Sequence, residues 1–250
     1  MALETRASPL EPELTLPPPF TLVRLRELGD AFAHAISVAP ERGAGTLVYV
    51  GRFDLAEFAV VLEPDEPLAQ ARRAFYAGMA ALADALAAHA QPETAIAIDW
   101  PDTISVNRGM VGGGRLAWPK GTPEDETPLW LVFGAMIRTV SMSGTEPGLN
   151  PLVTALEEEG FSDAMSDQVL ESFARHLMVA LDAWQEHGFG AVARSYLERL
   201  PAEQGVRRDV DENGDLLIRR MGKTQVERKK FLPKLAAPAW FDPVAKGPRS

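Results

Sequence analysis

The sequence predicts a globular fold in which strands and helices are mixed, followed by a small β-rich module at the C-terminal end. Three observations carry this expectation. Short apolar or β-branched runs bounded by Gly and Pro alternate with longer stretches whose apolar residues recur every three or four positions. Pro201 closes the last helical stretch, and beyond it Asn213-Gly214, a strong hairpin signal, lies between two β-compatible runs. The 250 residues, 46% hydrophobic and 24% charged, suffice for one full core with a small appendage, and exclude a collagen, a disulfide scaffold and a disordered chain.

Taken in order, residues 1–20 form an extended lead-in, because Pro17-Pro18-Pro19 favours polyproline geometry. Glu4 and Glu11, with no basic segment leading into an apolar one, argue against a signal or transit peptide. Thr46–Val50 and Phe58–Leu62 read as antiparallel strands joined by the loop Gly51–Leu55, and Pro64 ends the second. From Leu68 to Ala90 an alanine-rich stretch spaces Phe75, Met79, Leu82 and Leu86 as one face of a helix, which Pro92 closes. Ala95–Trp100 and Leu129–Val140 read as strands on either side of a glycine-rich passage, with a further strand over Gly114–Trp118.

After Glu157–Gly160, Ser166 is the expected N-cap of a long helix that Gly188 stops, with Val169, Phe173, Leu177, Ala180, Leu181 and Trp184 on its apolar face. A second helix, Phe189–Leu200, presents Val192, Tyr196 and Leu200. The main domain is therefore expected over 21–201, and the β-rich module and tail, with a third strand within Thr224–Lys230, over 202–250. No window reaches the ~18 uninterrupted apolar residues of a membrane helix.

The formal charge of −10 is unevenly spread. Residues 201–250 hold 11 Lys or Arg against 7 Asp or Glu, a balance of +4, which leaves 14 basic against 28 acidic side chains, −14, for the first 200. Lys120 is the only lysine of that body, whereas Lys223, Lys229, Lys230, Lys234 and Lys246 lie in the last fifty residues. With no cysteine, thiol catalysis, thiolate metal sites and disulfides are excluded, and a cytoplasmic location is expected. His34, His89, His176 and His187 show no metal-ligand spacing, so no metal site is expected. Ser141 and Ser143 lie outside any nucleophile-elbow pattern. The basic cluster Arg207, Arg208, Arg219, Arg220, Lys223, Arg228, Lys229 and Lys230 is either a solvated face or a docking patch for an acidic partner or nucleic acid.

The most distinctive passage runs from Ala95 to Pro119. Gly112-Gly113-Gly114 marks either a turn or bulge, or a place where the backbone approaches a ligand with Arg115 at hand for a carboxylate or phosphate. It is not a P-loop, because the Lys-Ser/Thr pair is absent. Trp100 and Trp118 flank the passage, as core residues or as covers for an apolar ligand.

Here the chain resembles the biotin protein ligase and lipoate protein ligase superfamily, on the biotin ligase side. Trp100-Pro101-Asp102 matches that family's Lys-Trp-Pro-Asn-Asp signature, and Met110-Val111-Gly112-Gly113 falls where the family has a lysine, an aliphatic residue, a small residue and glycine. Thr154–Phe161, the paired helices up to Leu200, and Val210–Leu217 resemble the family's closing segments and the start of its small C-terminal barrel, so the likeness covers roughly Leu22 to Leu235. It implies an α+β domain of the class II aminoacyl-tRNA synthetase and biotin synthetase type, a mixed sheet with flanking helices, plus a barrel-like C-terminal domain. The implied function is an ATP-dependent ligase, using ATP with Mg2+, that adenylates biotin, lipoate or a related small carboxylic acid and transfers it to a lysine of an acidic biotin- or lipoyl-carrier domain.

The chain departs from the family pattern at Asp99 and at Asp102-Thr103, and Met110 stands where the phosphate-side lysine would be. The adenylate loop is matched with Glu41–Thr46, poor in arginine, with Arg52 in the next turn. The candidate catalytic residues are then Arg115, Lys120 and Asp102, and the candidate ligand-binding residues Arg42, Gly43, Gly45, Arg52, Trp100, Met110, Gly112, Gly113 and Gly114. The alternative is a degenerate member that binds an acyl group or adenylate, or docks a carrier, without activating anything. The family's octanoyl transferases need a cysteine and are excluded. The roughly twenty residues before the first element are too few for a DNA-binding winged helix.

Overall fold

In a computed structural model, residues 14–142, 152–162 and 165–249 are described. The main body is a seven-stranded mixed sheet in the spatial order β1-β2-β3-β7-β6-β5-β4. Its strands are β1 (Thr21–Leu25), β2 (Thr46–Gly51), β3 (Leu55–Leu62), β4 (Ile96–Asp99), β5 (Thr103–Val106), β6 (Gly109–Ala117) and β7 (Leu131–Arg138). Neighbours are antiparallel except β1 and β2, which are parallel because helix α1 (Ala31–Arg42) carries the chain back between them. Asp30 caps α1 by accepting from Ala33 N at 2.8 Å.

Each sheet face is covered by a different layer. On one, α1 packs Ala31, Ala35 and Ala39 onto Val23, Val48, Val50, Ala59 and Val132. On the other lie α3 (Ala74–Ala87), α4 (Met165–His187) and α5 (Phe189–Glu198), whose core centres on Phe58, Phe75, Phe133 and Phe173. The Phe133 and Phe173 rings stack at 5.7 Å. Val169, Phe173 and Leu177 of α4, and Val192, Tyr196 and Leu200 of the following helical stretch, are buried as their spacing predicts.

Three local features differ from the sequence reading. The expected helix Leu68–Ala90 is two, α2 (Leu68–Ala71) and α3, because the chain tightens into i→i+3 bonds at Arg72 and Arg73, which turn to pair with Glu124 and Glu66. Pro17–Phe20 is a turn closed by Phe20 N on Pro17 O at 3.0 Å, not an extended run. Ser166 lies inside the first turn of α4, which begins at Met165, and its hydroxyl donates to Arg52 O at 3.0 Å.

The glycine-rich passage is a β-hairpin. β5 and β6 turn at Asn107 and Arg108, both at positive φ (48° and 77°), and Asn107 Oδ1 ties the turn down by accepting from Ala95 N at 3.0 Å. A register shift at Ile104/Ser105 gives β6 an extra residue near Val111, so the bulge and the strand are parts of one structure.

The C-terminal module is a three-stranded sheet in the order β10-β9-β8, formed by β8 (Val206–Val210), β9 (Leu216–Arg220) and β10 (Val226–Lys229). Its first turn places Gly214 at φ 84°, as Asn-Gly predicts. Helix α6 (Phe231–Leu235) follows, and the chain then returns to the main sheet as the two-residue strands β11 (Phe241–Asp242) and β12 (Gly247–Pro248).

Candidate functional site

Register aligns the groups that matter. Gly113 sits beside Met136, which sits beside Glu57, while Arg115 sits beside Gly134, which sits beside Ala59. Alternation along the strands turns Glu57, Gly113, Gly134 and Arg115 to the α1 side of the sheet. Gly134 has no side chain where Phe32 lies: a Cβ there would meet Phe32 Cδ2 at 2.4 Å. Phe32 thereby reaches Arg115, whose guanidinium carbon is 4.4 Å from the Phe32 ring centre and 4.2 Å from that of Phe241. The cation is held between two aromatic faces.

Among the described residues no carboxylate is within ion-pair distance of Arg115, and its Nε is buried with no hydrogen-bond partner. Burial pushes its pKa down, while the charges of Asp30 and Glu57 act the other way, and an arginine stays protonated under such a shift. Glu57, 2% exposed, accepts through Oε1 from Ala31 N at 2.9 Å in the first turn of α1. Burial pushes the Glu57 carboxyl up, partly offset by that hydrogen bond.

The chain's own C-terminal segment lies over this part of the sheet. Trp240 is fully buried, and a Cβ on Gly113 would meet its ring at 2.5 Å. Its Nε1 donates to Gly114 O at 3.1 Å, and Ala239 N donates to Asp102 Oδ2 at 3.1 Å. Arg138 Nη2 donates to Pro248 O and Arg249 O, both at 3.1 Å. Asp102 is 1% exposed, and burial pushes its carboxyl up against the hydrogen bonds from Thr103 and Ala239.

Of the predicted residues, Asp102, Gly113, Gly114 and Arg115 come together around this segment. Gly114 takes part through its carbonyl alone, since a Cβ on it would face the helical layer and meet Met79 Sδ at 2.5 Å. The others are placed elsewhere, and a Cβ on Gly112 would run into the Met136 backbone. Met110 bridges to Val153 through hydrogen bonds with Leu152 O and Thr154 N. Trp100 packs on the helical side, its Nε1 donating to Tyr76 Oη at 3.2 Å, and Trp118 lies under Arg72.

Arg52 is bound bidentate to Asp54, at 3.0 and 2.6 Å. Arg42, Gly43 and Gly45 stand at the opposite end of β2 from Arg52: Gly43 ends α1, and Gly45 lines a groove of about 770 Å3 with Phe20, Trp184 and Phe189. Lys120 is exposed in the turn beyond β6, five residues past Arg115. Among the described residues no group of three or more His, Asp or Glu could hold a metal, and no helix is long and apolar enough to cross a membrane. Ser143 and residues 1–13 of the lead-in lie outside the described residues.

Glu57, Phe32, Trp240, Phe241 and Arg138 were not singled out from the sequence. Three of them left a signal: Glu57 is the lone charge in the apolar strand Leu55–Leu62, and Trp240-Phe241 is an aromatic pair between Pro238 and Pro243 in an otherwise basic tail.

Residues 16–198 match the family described as Biotin/lipoate A/B protein ligase family. No curated protein matches. Among solved structures, the chain is similar to a biotin protein ligase-like protein of unknown function from Silicibacter sp. TM1040, with 28% identity and a TM-score of 0.75 over 89% of this chain and 99% of that one. It is similar in fold to the biotin protein ligase of Aquifex aeolicus, with 16% identity and a TM-score of 0.60 over 84% and 99% of the two chains. The biotin protein ligase of Leishmania major, in complex with biotin, gives 15% identity and a TM-score of 0.52 over 86% and 99%.

Proposed function

Because the chain belongs to the biotin/lipoate A/B protein ligase family, we propose that it takes a small carboxylic acid of the biotin or lipoate kind, activates it with ATP as an acyl adenylate, and passes it to a lysine of an acidic carrier domain. The observation that carries this reading is Arg115. A half-buried guanidinium beside a glycine strand, its Nε buried without a partner, is suited to accept a carboxylate through two parallel charge-assisted hydrogen bonds. The flanking rings of Phe32 and Phe241 suit an apolar acyl chain.

In this reading Arg115 neutralises the acid, and its fixed position lowers the cost of bringing a carboxylate and an α-phosphate together. ATP supplies the adenylate. Asp102 positions the C-terminal segment through Ala239 N, and Lys120, exposed at the far end of β6, is the remaining candidate for a phosphate contact. The outward face of the small sheet pairs Arg207 with Arg219 and Val226 in one row, a surface of the sign that an acidic carrier would meet.

The test is acid-dependent exchange of labelled pyrophosphate into ATP, with biotin, lipoate and octanoate in turn. Exchange that falls at least tenfold in Arg115→Gln is expected; absence of exchange with every acid removes the ligase reading. A second reading, an acid-binding protein without activation, is favoured by Met110, whose thioether gives no donor where the family pattern has a lysine, and calorimetric binding of an acid without exchange would select it.

A further inference from the structure

Gly113 and Arg115 are next-but-one neighbours on β6 and face the same side of the sheet. With no side chain at Gly113, the backbone beside the guanidinium is bare, and the flat head of a ligand could lie on it. In this chain the space is already filled. The indole of Trp240 covers Gly113 so closely that a Cβ there would meet Cδ1 and Nε1 of the ring at 2.5 Å. The ring is fully buried, and its Nε1 donates to Gly114 O at 3.1 Å.

The chain on either side of the indole is fastened down. Ala239 N donates to Asp102 Oδ2 at 3.1 Å, and Trp240 O accepts from Arg249 N at 2.8 Å. Arg138 Nη2 holds Pro248 O and Arg249 O, each at 3.1 Å. A head group of similar size that displaced the indole would restore no more apolar burial than was lost, and it would leave Gly114 O without its donor. Trp240 is therefore a fixed wall.

Arg115 itself stays approachable from its edge. It is half-buried, and Phe32 and Phe241 lie against the faces of the guanidinium, which leaves the in-plane N–H donors to a carboxylate. Phe241 stands at 70° to Trp240, with ring centres 5.4 Å apart, so the two rings form a corner on the Gly113 side. Toward β7 the space over Gly134 belongs to Phe32. The site thus admits a carboxylate, while the bare sheet on which a ring system would rest is occupied on both sides.

We propose that Trp240 sets the size limit of the acid site, so that Arg115 takes acids with a short unbranched chain and excludes those that carry a ring system. This rests on the reading of Arg115 as the carboxylate-holding residue, and narrows it. Trp240 lies beyond residues 16–198, so the limit comes from the C-terminal segment and not from the region matched by the family. A group for which a site has no room costs about tenfold or more in affinity.

The experiment uses the full chain and four free acids: butanoate, hexanoate, lipoate and biotin. Calorimetry compares the wild type with Arg115→Gln, Trp240→Ala and Trp240→Leu, and circular dichroism checks that each variant is folded. The wild type is expected to bind the better short acid at least tenfold tighter than lipoate and biotin, and Arg115→Gln to weaken that binding at least tenfold. In whichever Trp240 variant folds, the gap is expected to narrow at least tenfold because lipoate or biotin binds more tightly; if neither folds, the wild-type ranking decides alone. A wild-type gap below tenfold, or a folded Trp240 variant that keeps the wild-type ranking, overturns the size limit. The acid-binding reading then stands as long as Arg115→Gln weakens the binding. Binding of none of the acids, or binding that Arg115→Gln leaves unchanged, overturns both.

Discussion

Glu57 is a carboxylate surrounded by sheet and helix, with Ala31 N–H as its donor. An amide would accept the same hydrogen bond without the cost of a buried charge. Because burial raises the folded carboxyl above its unfolded value of about 4.3, the native state holds the proton more tightly than the unfolded chain does. This contribution is favourable below the unfolded pKa and is lost as pH rises through the folded one. Glu57→Gln is therefore expected to be more stable than the wild type at pH 8, by roughly 1 kcal/mol, with the advantage shrinking as pH falls toward 5. Thermal melts at both pH values check this. An advantage that grows on acidification would mean that the charged form is favoured in the fold, through Arg115.

The glycines of the Gly112–Gly114 run in β6 have unequal duties. At Gly114 a methyl group would press on Met79 Sδ, the flexible end of an adaptable side chain, whereas at Gly113 it would press on the Asp102 carbonyl at 2.0 Å and the Trp240 ring. Gly114→Ala is expected to cost about 1 kcal/mol and Gly113→Ala at least ~3 kcal/mol, because backbone and a fully packed ring yield less than a thioether. Urea midpoints of the two variants give the ordering, and equal midpoints would contradict it. This strand also shows where sequence reading stops. The helix ending at Gly188, its partner with Val192 and Tyr196, and the hairpin at Asn213-Gly214 follow from local spacing and local turn chemistry. A strand whose middle is three glycines has no side-chain alternation to read there, and a turn at Asn107-Arg108 needs an arginine at positive φ that no propensity favours. Arg115 was legible as a cation beside the glycines; that two rings enclose it was not, because Phe32 and Phe241 come from opposite ends of the chain.

Across the whole molecule, one hydroxyl on α3 ties the helical layer to the C-terminal module. Tyr76 donates to Gly214 O at 2.6 Å, accepts from Trp100 Nε1, and stacks on Phe231 with ring centres 4.8 Å apart. Desolvation keeps the phenol protonated far above its usual range, so the donor persists at any working pH. Tyr76→Phe keeps the ring but leaves the buried Gly214 carbonyl and the indole N–H without this partner, an expected loss of about 1–3 kcal/mol. If the other contacts still couple the two parts, calorimetry of Tyr76→Phe will show one transition moved to lower temperature; a second, separate transition would show that the hydroxyl is what couples them. Long-range ties of this kind, like that between Asp102 and Ala239, separated by 137 positions, leave no periodic trace in the sequence. The uneven lysine distribution, by contrast, is plain in the sequence and bears on the chemistry. Under the proposed reaction the molecule would make an acylating agent, yet the first 200 residues present a single side-chain amine, on the exposed turn at Lys120. An activated acid escaping the Arg115 site would meet a surface of its own maker almost empty of nucleophiles, and any self-labelling would concentrate on the five lysines of the C-terminal fifty residues.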